Sequence, residues 1–222
     1  MKRLALILVL IWSTIASAQH WNLTEDGDHL KCIVKIKCKN GMGTGFVVGK
    51  NKIITARHVS ECELESVVFQ GGITVPAKLI RNAAGGSDVS LVEAETPESV
   101  VIAKIATQAP RRGDYLEFAG LGGNASLKNI RHFWGTAGAP SCDHSVYAGE
   151  ALIPGDSGGP VFNGKHEVVG VISGGWFWWG MTQGKSPGSK LPMTYPARAM
   201  GLKGIESALA KPEVIKIELK GM

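Results

Sequence analysis

Little in this chain is long, apolar and uninterrupted. Only Leu4 to Trp12, after Met1-Lys2-Arg3, approaches a hydrophobic segment, and nothing else nears the roughly 20 apolar residues a membrane-spanning helix requires. That run leads into Ala16-Ser17-Ala18, a small-x-small pattern, so it reads as a secretory signal peptide over residues 1–18, cut after Ala18. A secreted or periplasmic mature chain of residues 19–222 is expected, with no stable membrane insertion. A dense basic block is missing too. The net charge of +5 includes Lys2 and Arg3, and the rest is spread along the chain, which argues against nucleic acid as a partner. The four cysteines contain no C-x-x-C pair, so no zinc site is expected; in an exported chain they imply two disulfides with three possible connectivities. Helix-period patterns are scarce.

What the chain has instead is glycine, 29 residues of it, and short apolar runs punctuated by Gly, Asn and Pro. This rhythm predicts an all-β sandwich or barrel. Lys31 to Lys39 alternates with period two, placing Cys32, Val34, Ile36 and Cys38 on one face and Lys35, Lys37 and Lys39 on the other. Six residues of strand separate Cys32 from Cys38 by about 20 Å, beyond the ~7 Å reach of a disulfide, so the two have different partners. Gly43 to Gly49 and a second short strand opening at Ile53, joined by a turn at residues 50–52, form a hairpin with His58 just past it. Val67 to Phe69 and Ile73 to Ile80 form another across Gly71-Gly72, and the glycine loop 85–86 then delivers Asp88 to a strand that runs to Val92.

Residues 97–110 link to a second set of strands at Tyr115 to Ala119, Ile130 to Ala137, Ser145 to Ile153, Val161-Phe162 and Val168 to Ser173, with Asn163-Gly164 as a tight-turn signal. Tyr195 to Arg198 reads as a last barrel strand. Ala199 to Lys211 has the Leu202, Ile205, Leu209 spacing of a short amphipathic helix, and Val214 to Leu219 alternates like one more strand.

The most informative stretch is Gly155-Asp156-Ser157-Gly158-Gly159-Pro160. Glycines on both sides of a serine let the hydroxyl stand clear while successive N–H groups turn to one point, which builds a nucleophile and an oxyanion site together. Such a stretch is also good turn chemistry, as a loop aspartate such as Asp88 is a good self-cap, so each block is weak alone.

Together, and in this order, Thr55-Ala56-Arg57-His58, Ser87-Asp88-Val89-Ser90-Leu91 and Gly155 to Pro160 resemble the three active-site blocks of chymotrypsin/trypsin-like serine proteases, compact bacterial or viral members above all. The resemblance spans roughly residues 33–210. It implies two antiparallel six-stranded β-barrels with a short C-terminal helix: a first barrel over about 30–97, a second over about 111–198, and the helix and tail over 199–222. It implies catalysis by His58, Asp88 and Ser157, an oxyanion hole from the N–H groups of Gly155 and Ser157, and no metal or cofactor. The partner it implies is a protein or peptide substrate.

The departures from the family pattern matter as well. Family cysteines usually bracket the histidine; here Val59 follows His58 and the nearest cysteine is Cys62, one helical turn on, so the resemblance pairs Cys38 with Cys62 and leaves Cys32 for Cys142. No Arg-Ile-Val-Gly-Gly junction precedes the domain, so Asp156 needs a partner other than a new amino terminus, or the enzyme forms active without a zymogen step. Where trypsin carries its pocket aspartate this chain has Ala151, and Ile172 stands where glutamate-specific relatives place a histidine. The primary pocket is then an apolar slot walled by Ala151, Leu152 and Ile153 on one side and Ser173, Gly174 and Gly175 on the other. Two alternatives belong to other classes: a catalytically silent homologue that binds without cutting, and a glycan or membrane-surface binder using Trp176, Trp178 and Trp179. The plainer place for those aromatics is the cleft wall or the packing between loops.

Overall fold

Four central strands carry their apolar residues in adjacent pairs: Ile33-Val34, Phe46-Val47, Ile53-Ile54 and Leu91-Val92. Neighbours on a strand point to opposite faces, so strands of this kind are covered on both sides. The computed structural model, which describes residues 27–138, 147–148, 152–174 and 199–210, shows what covers them. Val34, Val47, Ile53 and Val92 face a first core with Ile36, Val67 and Phe69. Ile33, Phe46, Ile54 and Leu91 face the other way, into a second core with Phe118, Phe133, Phe162 and Val171. One layer of strands thus seals its own core and provides a wall of the next. At roughly 1.5–3 kcal/mol for each large side chain buried, the shared face fixes how the two halves meet.

The first half is a seven-stranded antiparallel sheet: β1 (Ile33–Cys38), β2 (Gly41–Gly49), β3 (Lys52–Thr55), β4 (Leu64–Val68), β5 (Thr74–Pro76), β6 (Lys78–Asn82) and β7 (Ser90–Glu93), in the order β5-β4-β1-β2-β3-β7-β6. Its edges, β5 and β6, are consecutive in the chain with Ala77 between them, so the sheet curls until its ends meet. The extra strand arises because the expected Ile73 to Ile80 strand breaks after Pro76, where Ala77 N–H turns to donate to Glu65 O (3.1 Å). The second half is a six-stranded sheet of β8 (Tyr115–Gly120), β9 (Arg131–Thr136), β10 (Tyr147–Ala148), β11 (Pro160–Phe162), β12 (Val168–Ile172) and β13 (Ala199–Gly201), ordered β10-β9-β8-β11-β12-β13. The fold class is the expected one.

Two short α-helices, α1 (Arg57–Ser60) and α2 (Leu202–Leu209), and two 3-10 turns, Gly27–Cys32 and Gln70–Gly72, complete the described elements. Helix α2 starts three residues later than the spacing predicts, since Ala199 to Gly201 pair with β12 first. Leu202 and Ile205 are buried as expected. No helix among the described residues is long and apolar enough to cross a membrane.

One expectation at the N-terminal end needs correction. Cys32 is not on β1; it closes a 3-10 helix, Gly27–Cys32, and the alternation read from the sequence runs one residue too far. The turn swings Cys32 into the second core while Cys38 stays with the first. Cys32 is fully buried, with no disulfide partner among the described residues, and desolvation pushes its thiol pKa up to about 12. Cys142 itself lies outside the described residues, as do the signal peptide over 1–18, Ala151, Gly175, Trp176 to Trp179, the strand expected at Tyr195 to Arg198 and the tail strand.

Candidate active site

The chain leaves β3 at Thr55 and turns at once into α1. Ala56 is extended (φ −73°, ψ 146°), and its carbonyl accepts the N–H groups of Val59 (3.1 Å) and Ser60 (3.2 Å). Four residues of helix are too few to hold themselves. External ties do it: the Cys38–Cys62 disulfide closes just past α1 (Cα–Cα 5.7 Å), and the Ser60 hydroxyl lies 2.9 Å from both Arg57 O and Ser90 Oγ on β7, with one proton to give to either. His58 is thereby fixed on a clamped turn.

Asp88 comes from the loop between β6 and β7. Ala83 N–H donates to Val89 O (2.8 Å), closing that loop, and Ala84 N–H donates to Ser207 Oγ on α2 (2.8 Å), so the C-terminal helix braces it. The carboxylate meets His58 twice: Oδ2 is 2.8 Å from Nδ1, and Oδ1 accepts the His58 backbone N–H at 3.0 Å. A third donor is the Ser173 hydroxyl, 2.5 Å from Oδ2. Burial alone would push the Asp88 pKa up, but the hydrogen bonds from His58 and Ser173 and the attraction to the imidazole outweigh it and hold the carboxyl below its ordinary value. A permanent carboxylate on Nδ1 selects the tautomer that leaves Nε2 as a base.

Ser157 stands in the loop leading into β11, and this loop is bolted to the first sheet. Ser157 O accepts Thr44 N–H (2.8 Å), and the Thr44 hydroxyl donates to Gly155 O (2.6 Å) while accepting Leu121 N–H (2.9 Å). Thr55 Oγ1 donates to Thr44 O at 2.6 Å. Gly158 has φ +86°, and a Cβ there would lie 2.1 Å from Thr44 O and 2.2 Å from Thr55 Oγ1, so no other residue fits. Gly155 has φ +103°, also in the region only glycine enters easily. The next N–H groups along this loop are used internally, Asp156 to Ile153 O, Gly158 to Ile172 O and Gly159 to Asp156 O. Those of Gly155 and Ser157 have no acceptor among the described residues.

Asp156 points the opposite way and is fully buried. Its Oδ1 accepts Gly122 N–H (2.9 Å), its Oδ2 accepts Ile153 N–H (3.1 Å), and Arg131 Nη1 on β9 lies 2.6 Å from Oδ2. Burial raises its pKa; the backbone N–H bonds and the guanidinium offset that only in part. Arg131 also lies over the Phe133 ring, 4.2 Å from its centroid.

His58, Ser157 and the expected pocket residues Leu152, Ile153, Ser173 and Gly174 line one open cleft of about 290 Å³, together with Met42 and Val59. Ala151 and Gly175 lie outside the described residues. Sequence reasoning missed three contributors. Ser173, taken only as a pocket wall, also holds Asp88; Thr44 spans the two sheets; Arg131 neutralises Asp156. The need for an Asp156 partner was visible, but nothing near Arg131 marks it as that partner.

Residues 43–171, more than half of the chain, match the family described as the trypsin-like peptidase domain. Among solved structures, the serine endoprotease from Yersinia pestis is similar in fold, with a TM-score of 0.61 and 18% sequence identity over 78% of this chain and 59% of that one. The chain therefore spans about three-fifths of that protein's length. With its two antiparallel sheets, its cleft and the match across 43–171, the chain belongs to the trypsin-like peptidase domain family.

Proposed function

We propose that this chain is an exported serine endopeptidase that cuts protein or peptide substrates through His58, Asp88 and Ser157. The observation that carries the reading is that His58, tied at Nδ1 to Asp88, opens onto the same cleft as Ser157. Ser157 Oγ attacks the peptide carbonyl carbon as His58 Nε2 takes the hydroxyl proton, and Asp88 stabilises the imidazolium that results. The carbonyl oxygen becomes an oxyanion received by the N–H groups of Gly155 and Ser157, each such donor being worth roughly 3–4 kcal/mol. His58 passes its proton to the leaving amine, and a water then releases the acyl group by the same steps in reverse. Each residue does what its surroundings equip it to do, without metal or cofactor.

The same reading makes the chain active once its signal peptide is removed. Arg131 supplies the positive charge that Asp156 requires, so a maturation cut before an Ile or Val has no task left to perform. Specificity follows from the cleft walls. Leu152, Ile153 and Pro154 are apolar, and Ser173 and Gly174 offer backbone for a substrate strand to pair with. Among the described residues this slot offers a cationic side chain no countercharge, and burying it unpaired would cost several kcal/mol. Uncharged apolar residues on the acyl side of the cut bond are therefore preferred.

A fluorophosphonate probe followed by a peptide-library digest tests both parts. The mature chain starting at Gln19 takes one label, on Ser157, and cleaves mainly after apolar residues. Absence of label refutes the endopeptidase. Labelling with cleavage after Arg, Lys or Glu refutes only the pocket.

A further inference from the structure

Away from the cleft, three of the chain's six histidines gather around one glutamate. His29 lies in the 3-10 helix Gly27–Cys32, Glu117 on β8, His132 on β9 and His166 in the β11–β12 turn. His29 Nε2 is 3.0 Å from Glu117 Oε2, and His29 Nδ1 is 2.8 Å from His166 Nδ1. His132 Nδ1 approaches the other carboxylate oxygen, Oε1, at 3.2 Å. The side chains of His29 and Glu117 are only 14% and 13% exposed, and the Phe162 ring packs edge-on against His29, 4.8 Å between centroids. One donor atom from each of His29, Glu117 and His166 lies within 4.8 Å of the other two.

We propose that His29, Glu117 and His166 form a site for a divalent transition metal ion, zinc foremost, which staples the N-terminal lead of the domain to the second sheet. Two imidazoles and a carboxylate are the ligand chemistry of zinc and its neighbours, whereas calcium and magnesium prefer all-oxygen sets. Zinc with ligands at about 2.0–2.1 Å holds them roughly 3.3 Å apart, so the widest pair closes by about 1.5 Å. His166 can supply that movement, because it is exposed on a hairpin turn. His132 orients the carboxylate from behind, as partners of metal-bound carboxylates do. The ligands come from segments 88 and 49 residues apart, so a search for C-x-x-C spacing passes over them. None of them lines the cleft of Ser157. Occupancy therefore stiffens the lead and the hairpin that follows Pro160 without entering the chemistry.

Zinc chloride titrated calorimetrically into the chelator-stripped mature chain tests this, in a His58→Ala background that removes the imidazole of the cleft. The expected result is one zinc per chain, a rise in Tm with zinc, and no response to magnesium or calcium. Glu117→Gln and His166→Ala each weaken zinc binding on the order of a hundredfold, and His132→Ala roughly tenfold. His166 is exposed, so its variant folds even where that of the half-buried Glu117 does not. Absence of stoichiometric zinc, or zinc binding unchanged in His166→Ala, overturns the proposal.

Discussion

Arg131 places a guanidinium nitrogen 2.6 Å from the carboxylate of Asp156, the residue next to Ser157 and fully shielded from solvent. The pair spans from β9 to the loop that carries the nucleophile. Removing one partner of a buried ion pair typically costs about 3–5 kcal/mol, because the other charge is left without compensation. Arg131→Met is therefore expected to destabilise the domain by about that amount and to lower kcat/KM. Adding Asp156→Asn recovers part of the stability, since no charge then remains buried. Denaturant unfolding of the two variants checks this, and a single variant as stable and active as the parent would show that the pair is idle.

Thr44 is the bolt between the halves, donating to Gly155 O and accepting from Leu121 N–H. Thr44→Val keeps the shape and leaves two buried backbone groups without a partner, a loss on the order of 2–4 kcal/mol. Thr44→Ser keeps both bonds and stays close to the parent. Because Gly155 is one of the proposed oxyanion donors, the valine variant loses kcat more than it gains KM. Steady-state kinetics on both variants separate that from simple instability.

The Asp88 pKa in the folded chain is held below its ordinary value, so the folded state binds this proton less readily than the unfolded one. Asp88 then contributes stability at every pH above the unfolded value, near 3.9, and loses it as pH falls from there through the lower folded value. Asp88→Asn is expected to be less stable than the parent at neutral pH, with the difference shrinking below about pH 4. Unfolding curves for the two proteins across that range measure it directly. A difference that stays constant with pH would contradict the assignment.

Much of this site is legible in the sequence because its parts are local. His58 and Asp88 each sit at a strand end marked by apolar residues and turn chemistry, and Ser157 is framed by glycines that close contacts at Gly158 require. The Cys38–Cys62 bond is the one the family resemblance implies. What escapes is the long-range pairing of ordinary-looking polar residues. Arg131 on β9 resembles any strand arginine, and Thr44 any strand threonine, until the fold brings them against the nucleophile loop. Cys32 shows the opposite failure: a period-two pattern continues by chance into a 3-10 turn, and the turn sends the side chain to a different core.

The most direct test is the turnover of a peptide substrate by Ser157→Ala beside the parent, with circular dichroism and Tm confirming the same fold. Ser157 is solvent-accessible in the cleft, so the substitution leaves packing intact. Loss of a triad nucleophile typically lowers kcat by on the order of 10⁴–10⁶. A fall of that size in an otherwise unchanged protein is the predicted result, and cleavage at a tenth of the parent rate would contradict the mechanism.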